Sequence, residues 1–200
     1  MGGLRLARNL VRCGMTSMKS LQGHLLVAAP TLSDPNFLRT VVLIVMHAED
    51  GAFGLVLNRP TETSVKELWK ALEETRCARR EPLFWGGPVS NRLIVLHEVA
   101  SDAEDMVMPG VFVSVKQESL RKLMRKTSGR MRVFNGYAGW SAGQLENELA
   151  DGGWLHLPAS AELTFLDPEH LWEHSLQVIG TQILRPLMGN SPLPPDPSVN

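Results

Sequence analysis

Three glycine-punctuated patches constrain what this chain can fold into: residues 47–60 (HAEDGAFGLVLNRP), 84–89 (FWGGPV) and 135–140 (NGYAGW). Glycine inside apolar, strand-like sequence marks a tight turn, a bulge or a place where another backbone or a ligand comes close. The stretches between the patches are ordinary strand and helix patterns. The patches carry no metal-ligand spacing, no phosphate-binding loop and no nucleophile beside its base, so residue chemistry alone names no reaction.

At 200 residues, 44% hydrophobic and 20% charged, the chain fits one domain that buries roughly 70% of the surface of its unfolded form. Two cysteines, Cys13 and Cys77, are too few for a disulfide framework and favour a reducing compartment. A net charge of −1 supplies no long-range field for DNA or anionic lipid. The longest apolar run, Val41 to Met46, is far short of a membrane span of about 20 residues. The expectation is a cytoplasmic protein with no membrane association. Residues 1–20 carry Arg5, Arg8, Arg12 and Lys19 with no acid. That composition suits an organellar leader, but a disordered leader or a start at Met15 or Met18 is favoured. Residues 189–200 are proline-rich and read as a disordered tail, leaving 21–188 as a single domain.

Short β-branched runs at His24–Ala29, Val41–Val45 and Phe53–Leu57 read as strands, the last two joined as a hairpin at Asp50-Gly51. Ser64-x-x-Glu67 is a capping box for a helix ending near Thr75, with Val65, Leu68, Trp69 and Leu72 on one face. Leu83–Trp85, Leu93–His97 and Val111–Val115 follow as strands, with an acidic loop of Asp102, Glu104 and Asp105 before the last. A helix from about Gln117 to Lys126, a strand at Met131–Phe134, a helix from Ser141 to Leu149 ended by Gly152-Gly153, a strand at Trp154–Leu157 and a helix opened by Asp167-Pro168 complete the pattern. Hairpins mixed with helices, without regular βαβ alternation, predict an α+β fold on a mixed, largely antiparallel sheet.

Several motifs have a functional and a plainer reading. Gly139-x-Ser141-x-Gly143 matches a hydrolase nucleophile elbow, with Asp151 or Asp167 and His170 or His174 as nominal partners. About sixty residues after the serine are too few for that fold, and Ser141 has a capping role with Gln144. His170-x-x-Glu173-His174 matches an inverted zinc-protease pattern, but the only later acid, Asp196, lies in the tail, so a solvent-facing helix edge is favoured. Arg121, Lys122, Arg125, Lys126, Arg130 and Arg132 form the nearest approach to a nucleic-acid footprint; without interleaved aromatics they read first as a solvated face. Cys77, among Arg76, Arg79 and Arg80, is a candidate reactive thiol, although an incidental thiol is favoured. Asn58-Arg59-Pro60 presents an arginine suited to two-pronged capture of a carboxylate or phosphate. Gly86-Gly87-Pro88 allows close approach of a ligand or a backbone, and residues 135–140 add Tyr137 and Trp140. The alternative is that these glycines serve a curved, tightly packed sheet and Arg59 pairs internally.

Together the segments 23–30 (GHLLVAAP), 34–37 (DPNF), 40–43 (TVVL), His47, 54–60 (GLVLNRP), 86–89 (GGPV), Leu96-His97, 136–140 (GYAGW), 144–148 (QLENE) and Trp154 resemble the YqgE/AlgH family. The resemblance implies a bent sheet closing into a pseudo-barrel flanked by helices, and no defined reaction. Some members carry a transcriptional-regulator label, but no helix-turn-helix with a basic recognition helix is visible here. The leading expectation is a binding or regulatory module. Its recognition surface would comprise Asn58, Arg59, Gly86, Gly87, His97, Tyr137 and Trp140, taking a small anion or an extended segment of a partner protein, without metal or cofactor. The rival is an enzyme using His97 as general base or Cys77 as a thiol; a third possibility is nucleic-acid binding through the basic run from Arg121 to Arg132.

Overall fold

A computed structural model describes residues 20–188 apart from 73 and 75; residues 1–19 and 189–200, with the predicted leader and tail, lie outside the described residues. The strands are β1 (His24–Ala28), β2 (Val41–Ala48), β3 (Gly51–Val56), β4 (Pro60–Ser64), β5 (Pro82–Trp85), β6 (Val89–His97), β7 (Asp105–Met108), β8 (Val111–Ser114), β9 (Met131–Ser141) and β10 (Trp154–Pro158). The helices are α1 (Val65–Ala71), α2 (Gln117–Met124), α3 (Gln144–Ala150), α4 (Ala161–Thr164) and α5 (Pro168–Met188). This is the expected α+β fold.

The main sheet runs β10-β1-β2-β3-β9-β6-β8-β7, with β4 and β5 off that path. Every pairing is antiparallel except β5 with β9. The sheet curls into a half-barrel whose β7 end returns toward β1: Gln22 Nε2 donates to the carbonyls of Met106 and Val107. Its concave side holds the largest apolar cluster, including Leu25, Leu43, Leu55, Leu96 and Phe134, closed by Leu171 and Ile179 of α5. Alternate residues of β1, β2 and β3, namely Leu26, Val42, Ile44 and Val56, face the other way and pack with Leu145 of α3. This two-residue period sorts each strand between two cores. Residues of α1 and α2, among them Trp69, Leu120 and Leu123, cover Val95 and Val133.

Local chemistry explains the element ends. Ser64 and Glu67 form the predicted capping box, but α1 stops at Leu72, before the expected Thr75: Glu74 N–H bonds the Trp69 carbonyl, a wider turn than the helix allows. Gly152, with φ 74°, ends α3 as expected. Two strands were not foreseen. The stretch read as an acidic loop contains β7, whose one ladder is to β8, and β4 pairs irregularly with β5. The patch at 135–140, expected to lie between elements, is the interior of β9, which turns at Gly136 (φ 83°).

Candidate functional site

The three glycine-punctuated patches meet in space. Trp85 N–H bonds the Arg59 carbonyl, Val56 N–H bonds the Gly86 carbonyl, and Gly86 N–H bonds the Asn135 carbonyl. Gly86 and Gly87 lie so close to β9 that a Cβ on Gly86 would stand 2.1 Å from the Gly136 oxygen, and one on Gly87 2.2 Å from the Tyr137 carbonyl carbon. The backbone that approaches these glycines is the protein's own. Of the two readings open in the sequence, close packing within the sheet is the one seen.

Asn58 and Arg59 hold the β1–β2 loop. Asn58 Oδ1 accepts from Val41 N–H and its Nδ2 donates to the Arg39 carbonyl, both at 2.9 Å. Arg59 Nη2 donates to the Leu38 carbonyl at 2.9 Å. Between these anchors Arg39 adopts φ 54°, a left-handed conformation unusual for a residue with a side chain. The fixed loop lays Phe37 on two indoles, with ring centroids 6.3 Å from Trp140 and 5.4 Å from Trp154. A buried indole N–H needs an acceptor, and one carboxylate serves both: Trp140 Nε1 and Trp154 Nε1 donate to Glu148 Oε2 at 2.9 and 2.8 Å, while Gln144 donates to Glu148 Oε1. A recess of about 530 Å³ lies beside this cluster, lined also by Asp34, Asn36 and Asp151.

Across Gly139 and Trp140, at the mouth of the half-barrel, is a larger open groove of about 740 Å³. Its floor comes from three neighbouring strands: Phe53 of β3, Tyr137 and Gly139 of β9, and Val89 and Ile94 of β6. The Phe53 and Tyr137 rings meet edge to face, 5.8 Å apart. Val89 and Val115 at the rim are 41% and 37% exposed. Arg92 and Asp50 also line the groove, and among the described residues neither forms an ion pair. Gly139 leaves the space open: a Cβ there would be 3.4 Å from the Tyr137 ring and 3.9 Å from Val89, ordinary contact without a left-handed backbone.

Of the seven predicted surface residues, Tyr137 and Trp140 line the groove; Gly86 and Gly87 support the strand that carries them, and Asn58 and Arg59 hold the neighbouring loop. His97 stands apart. It pairs with Met131, whereas Val89, eight residues earlier on β6, pairs with Tyr137, a separation on the order of 25 Å along the strand. Phe53, Arg92 and Asp50 of the groove, and Phe37, Glu148 and Trp154 of the recess, were not foreseen as site residues. Glu148 and Trp154 stood in the sequence only as part of the family resemblance, and the need of the two indole N–H groups for an acceptor was the physical signal for Glu148.

His97 is fully buried, and both of its ring nitrogens are hydrogen-bonded. Val99 N–H donates to Nδ1, and Nε2 lies 3.0 Å from Ser114 Oγ, which itself donates to the Asp102 carbonyl. The network therefore closes on a neutral imidazole carrying its proton on Nε2. Burial lowers the His97 pKa below 6.5, against the nearby Asp102 and Glu104 charges and a Val99 hydrogen bond that raise it. As pH falls below 6.5 the unfolded chain takes up a proton that the folded chain resists, so stability is complete above that value and declines below it, until the folded-state pKa is also passed. Urea denaturation between pH 7.5 and 5 is expected to show this decline in the wild type and a shallower one in His97→Gln; equal slopes would refute it. The carboxylates with lowered pKa, such as Glu98 and Asp102, begin to contribute only nearer 4.5 and 3.8.

The remaining motifs take their plainer readings. Ser141 Oγ donates to Gln144 Oε1, and Gly143, not Ser141, is the residue that caps α3. His170 and His174 are exposed on α5. Among the described residues no group of three or more His, Cys, Asp or Glu could hold a metal. Cys77 is half-buried, its Sγ 3.6 Å from the Arg79 carbonyl. Arg121, Lys122, Lys126 and Arg130 pair with Glu74, Glu118, Asp102 and Glu98. Arg132 is buried and lies on β9, not on the helix face. No described helix is long and apolar enough to cross a membrane.

Comparison with known proteins agrees with the architecture. A family model described as AlgH-like matches residues 25–184. A UPF0301 protein of Myxococcus xanthus is 40% identical over 177 residues, spanning 86% of this chain and 98% of its own. One from Streptomyces coelicolor is 38% identical over 202 residues, spanning 94% and 99%. The solution structure of the AlgH protein from Pseudomonas aeruginosa superposes with TM-score 0.68 at 32% identity, covering 91% of this chain and all of that one. A crystal structure from Corynebacterium diphtheriae, at 23% identity, shares the fold with TM-score 0.63, covering 90% and 92%.

Proposed function

This chain belongs to the AlgH-like family, and we propose that it is a recognition module whose ligand seats in the groove at the mouth of the half-barrel. The observation that carries this reading is the groove itself: an open volume of about 740 Å³ with an aromatic and aliphatic floor and two charged side chains, Arg92 and Asp50, left without ion pairs among the described residues. Apolar recesses with a few convergent polar groups, of about 300–1,000 Å³, are the usual form of a ligand site. Of the two arginines, Arg92 is the better placed to take an anionic group, because Arg59 is engaged with the Leu38 carbonyl.

The buried, fully bonded His97 lends no support to the catalytic alternative. Four of the six basic residues from Arg121 to Arg132 are ion-paired and Arg132 is buried, which weakens direct nucleic-acid binding. Any regulatory effect would then pass through the bound ligand or partner, in the cytoplasm that the cysteine-poor sequence favours.

A thermal-shift screen against nucleotides, phosphorylated metabolites, short acids and peptides tests the reading when run in parallel on Gly139→Val. A valine fits a strand and fills the groove beside Tyr137. A ligand at 100 times its Kd stabilises the fold by about 2.7 kcal/mol, a rise of roughly 5–10 °C for a domain of this size. The expected result is a shift in the wild type that disappears in Gly139→Val. A shift of equal size in both proteins would place the ligand elsewhere, and no shift from any compound would count against a ligand site.

A further inference from the structure

We propose that the occupant of this groove is an extended peptide segment of another protein, lying obliquely across β3, β9 and β6, with an acidic side chain at Arg92 and a basic one at Asp50. The inference rests on the groove being a ligand site and names the class of ligand.

Length is the first argument. Asp50 directly precedes β3, whose Gly51 pairs with Ser141 of β9. Arg92 lies on the far side of β9, between the residues of β6 that pair with Tyr137 and Asn135. Two strand spacings across and about five residues along put their backbones roughly 15–20 Å apart, the span of five or six extended residues. A small anion would engage Arg92 alone and would leave the aromatic floor and Asp50 unused.

Charge and shape agree with that length. The two unpaired charges are of opposite sign, and the surface between them, Phe53, Tyr137 and Val89, is apolar. A strand-like segment alternates its side chains between the two faces, so a peptide with apolar residues between an acid and a base complements the whole groove. Addition of the segment to the edge of β6 is disfavoured, because the ladder there breaks register between Val89 and Leu93 and Arg92 stands on it, both of them features that blunt strand pairing. The segment is therefore held by its side chains, across the face of the sheet.

Three end-blocked pentapeptides sharing the core Val-Tyr-Val test this, one ending in lysine and glutamate, one in two glutamates and one in two lysines. Calorimetric titration of the intact protein is expected to rank the mixed peptide first, by roughly fivefold, the upper range for pairs in partly exposed settings. In Arg92→Glu the preference should pass to the double-lysine peptide, and in Asp50→Lys to the double-glutamate peptide. Both side chains are exposed, and a melting curve of each variant confirms that it is folded before the peptides are ranked. Gly139→Val should abolish binding of all three. A ranking unchanged by either charge reversal, peptide binding that survives Gly139→Val, or no binding of any peptide would each overturn the proposal. If a different compound in the thermal screen still loses its shift in Gly139→Val, the groove stands and only the peptide occupant fails; if nothing does, both fail.

Discussion

Gly87→Ala is expected to leave no cooperatively folded protein. Gly87 has φ 149°, a backbone conformation that residues with side chains rarely adopt, and its missing Cβ would sit 2.2 Å from the Tyr137 carbonyl carbon and 2.3 Å from Ala138 N. A flexible side chain could move aside at little cost. These neighbours are backbone, and β9 is held on one side by β3 and on the other by β6. The backbone conformation alone costs about 1–3 kcal/mol. Relief of the overlap requires β9 to leave one of its ladders, so the total exceeds about 5 kcal/mol, comparable with the stability of a typical domain. Circular dichroism and an amide NMR spectrum of Gly87→Ala should show a collapsed or insoluble chain. Gly139→Ala, on the same strand with ordinary contact distances, should melt within a few degrees of the wild type. A Gly87→Ala protein with near-native melting would mean that the two backbones are not in contact.

That contrast shows what was legible in the sequence. Turn and cap chemistry is local, so the hairpin at Asp50-Gly51, the capping box at Ser64 and Glu67 and the glycine end of α3 could be read in advance. The short edge strand β7 could not. Asp105 and Met106 are exposed, and only the pairing with β8 makes them a strand. The same limit applied to the site. The groove joins Asp50 and Phe53 to Arg92 and to Tyr137, residues roughly 40 positions apart in each step, through the pairing of β3 and β6 with β9. Register between distant strands leaves no periodic mark, so Arg92 looked like any surface arginine. Tyr137 and Trp140 could be singled out because glycines flank them. The purpose of those glycines, which is to let β9 and the Gly86-Gly87 turn touch, became visible only with both chains of backbone in place.

Arg132 carries the second large effect, and its burial contradicts its place in the basic run from Arg121. It is 7% exposed, and its guanidinium donates from Nη1 to the carbonyls of Leu57 and Thr164 and from Nη2 to that of Leu166. The Phe84 ring lies 5.0 Å from the guanidinium carbon and adds a cation–π contact. Desolvation lowers its pKa to about 10, partly offset by the Asp167 charge, so the group stays protonated at neutral pH. One planar cation thus ties β9 to the end of β3 and to the segment joining α4 and α5. Arg132→Met keeps an apolar stem but strands the buried Leu57 and Thr164 carbonyls and the part-buried one of Leu166, and should destabilise the fold by about 3–5 kcal/mol. The corresponding fall in Tm is roughly 8–15 °C. Arg132→Lys retains the charge but cannot fork to three acceptors and should fall between the two. An exposed arginine serving nucleic acid would behave otherwise: its loss would leave stability within about 0.5 kcal/mol and would flatten the salt dependence of DNA binding. Urea denaturation of both variants separates the cases, and a stability change below about 1 kcal/mol in Arg132→Met would show that this cation does not hold the half-barrel to its helical cover.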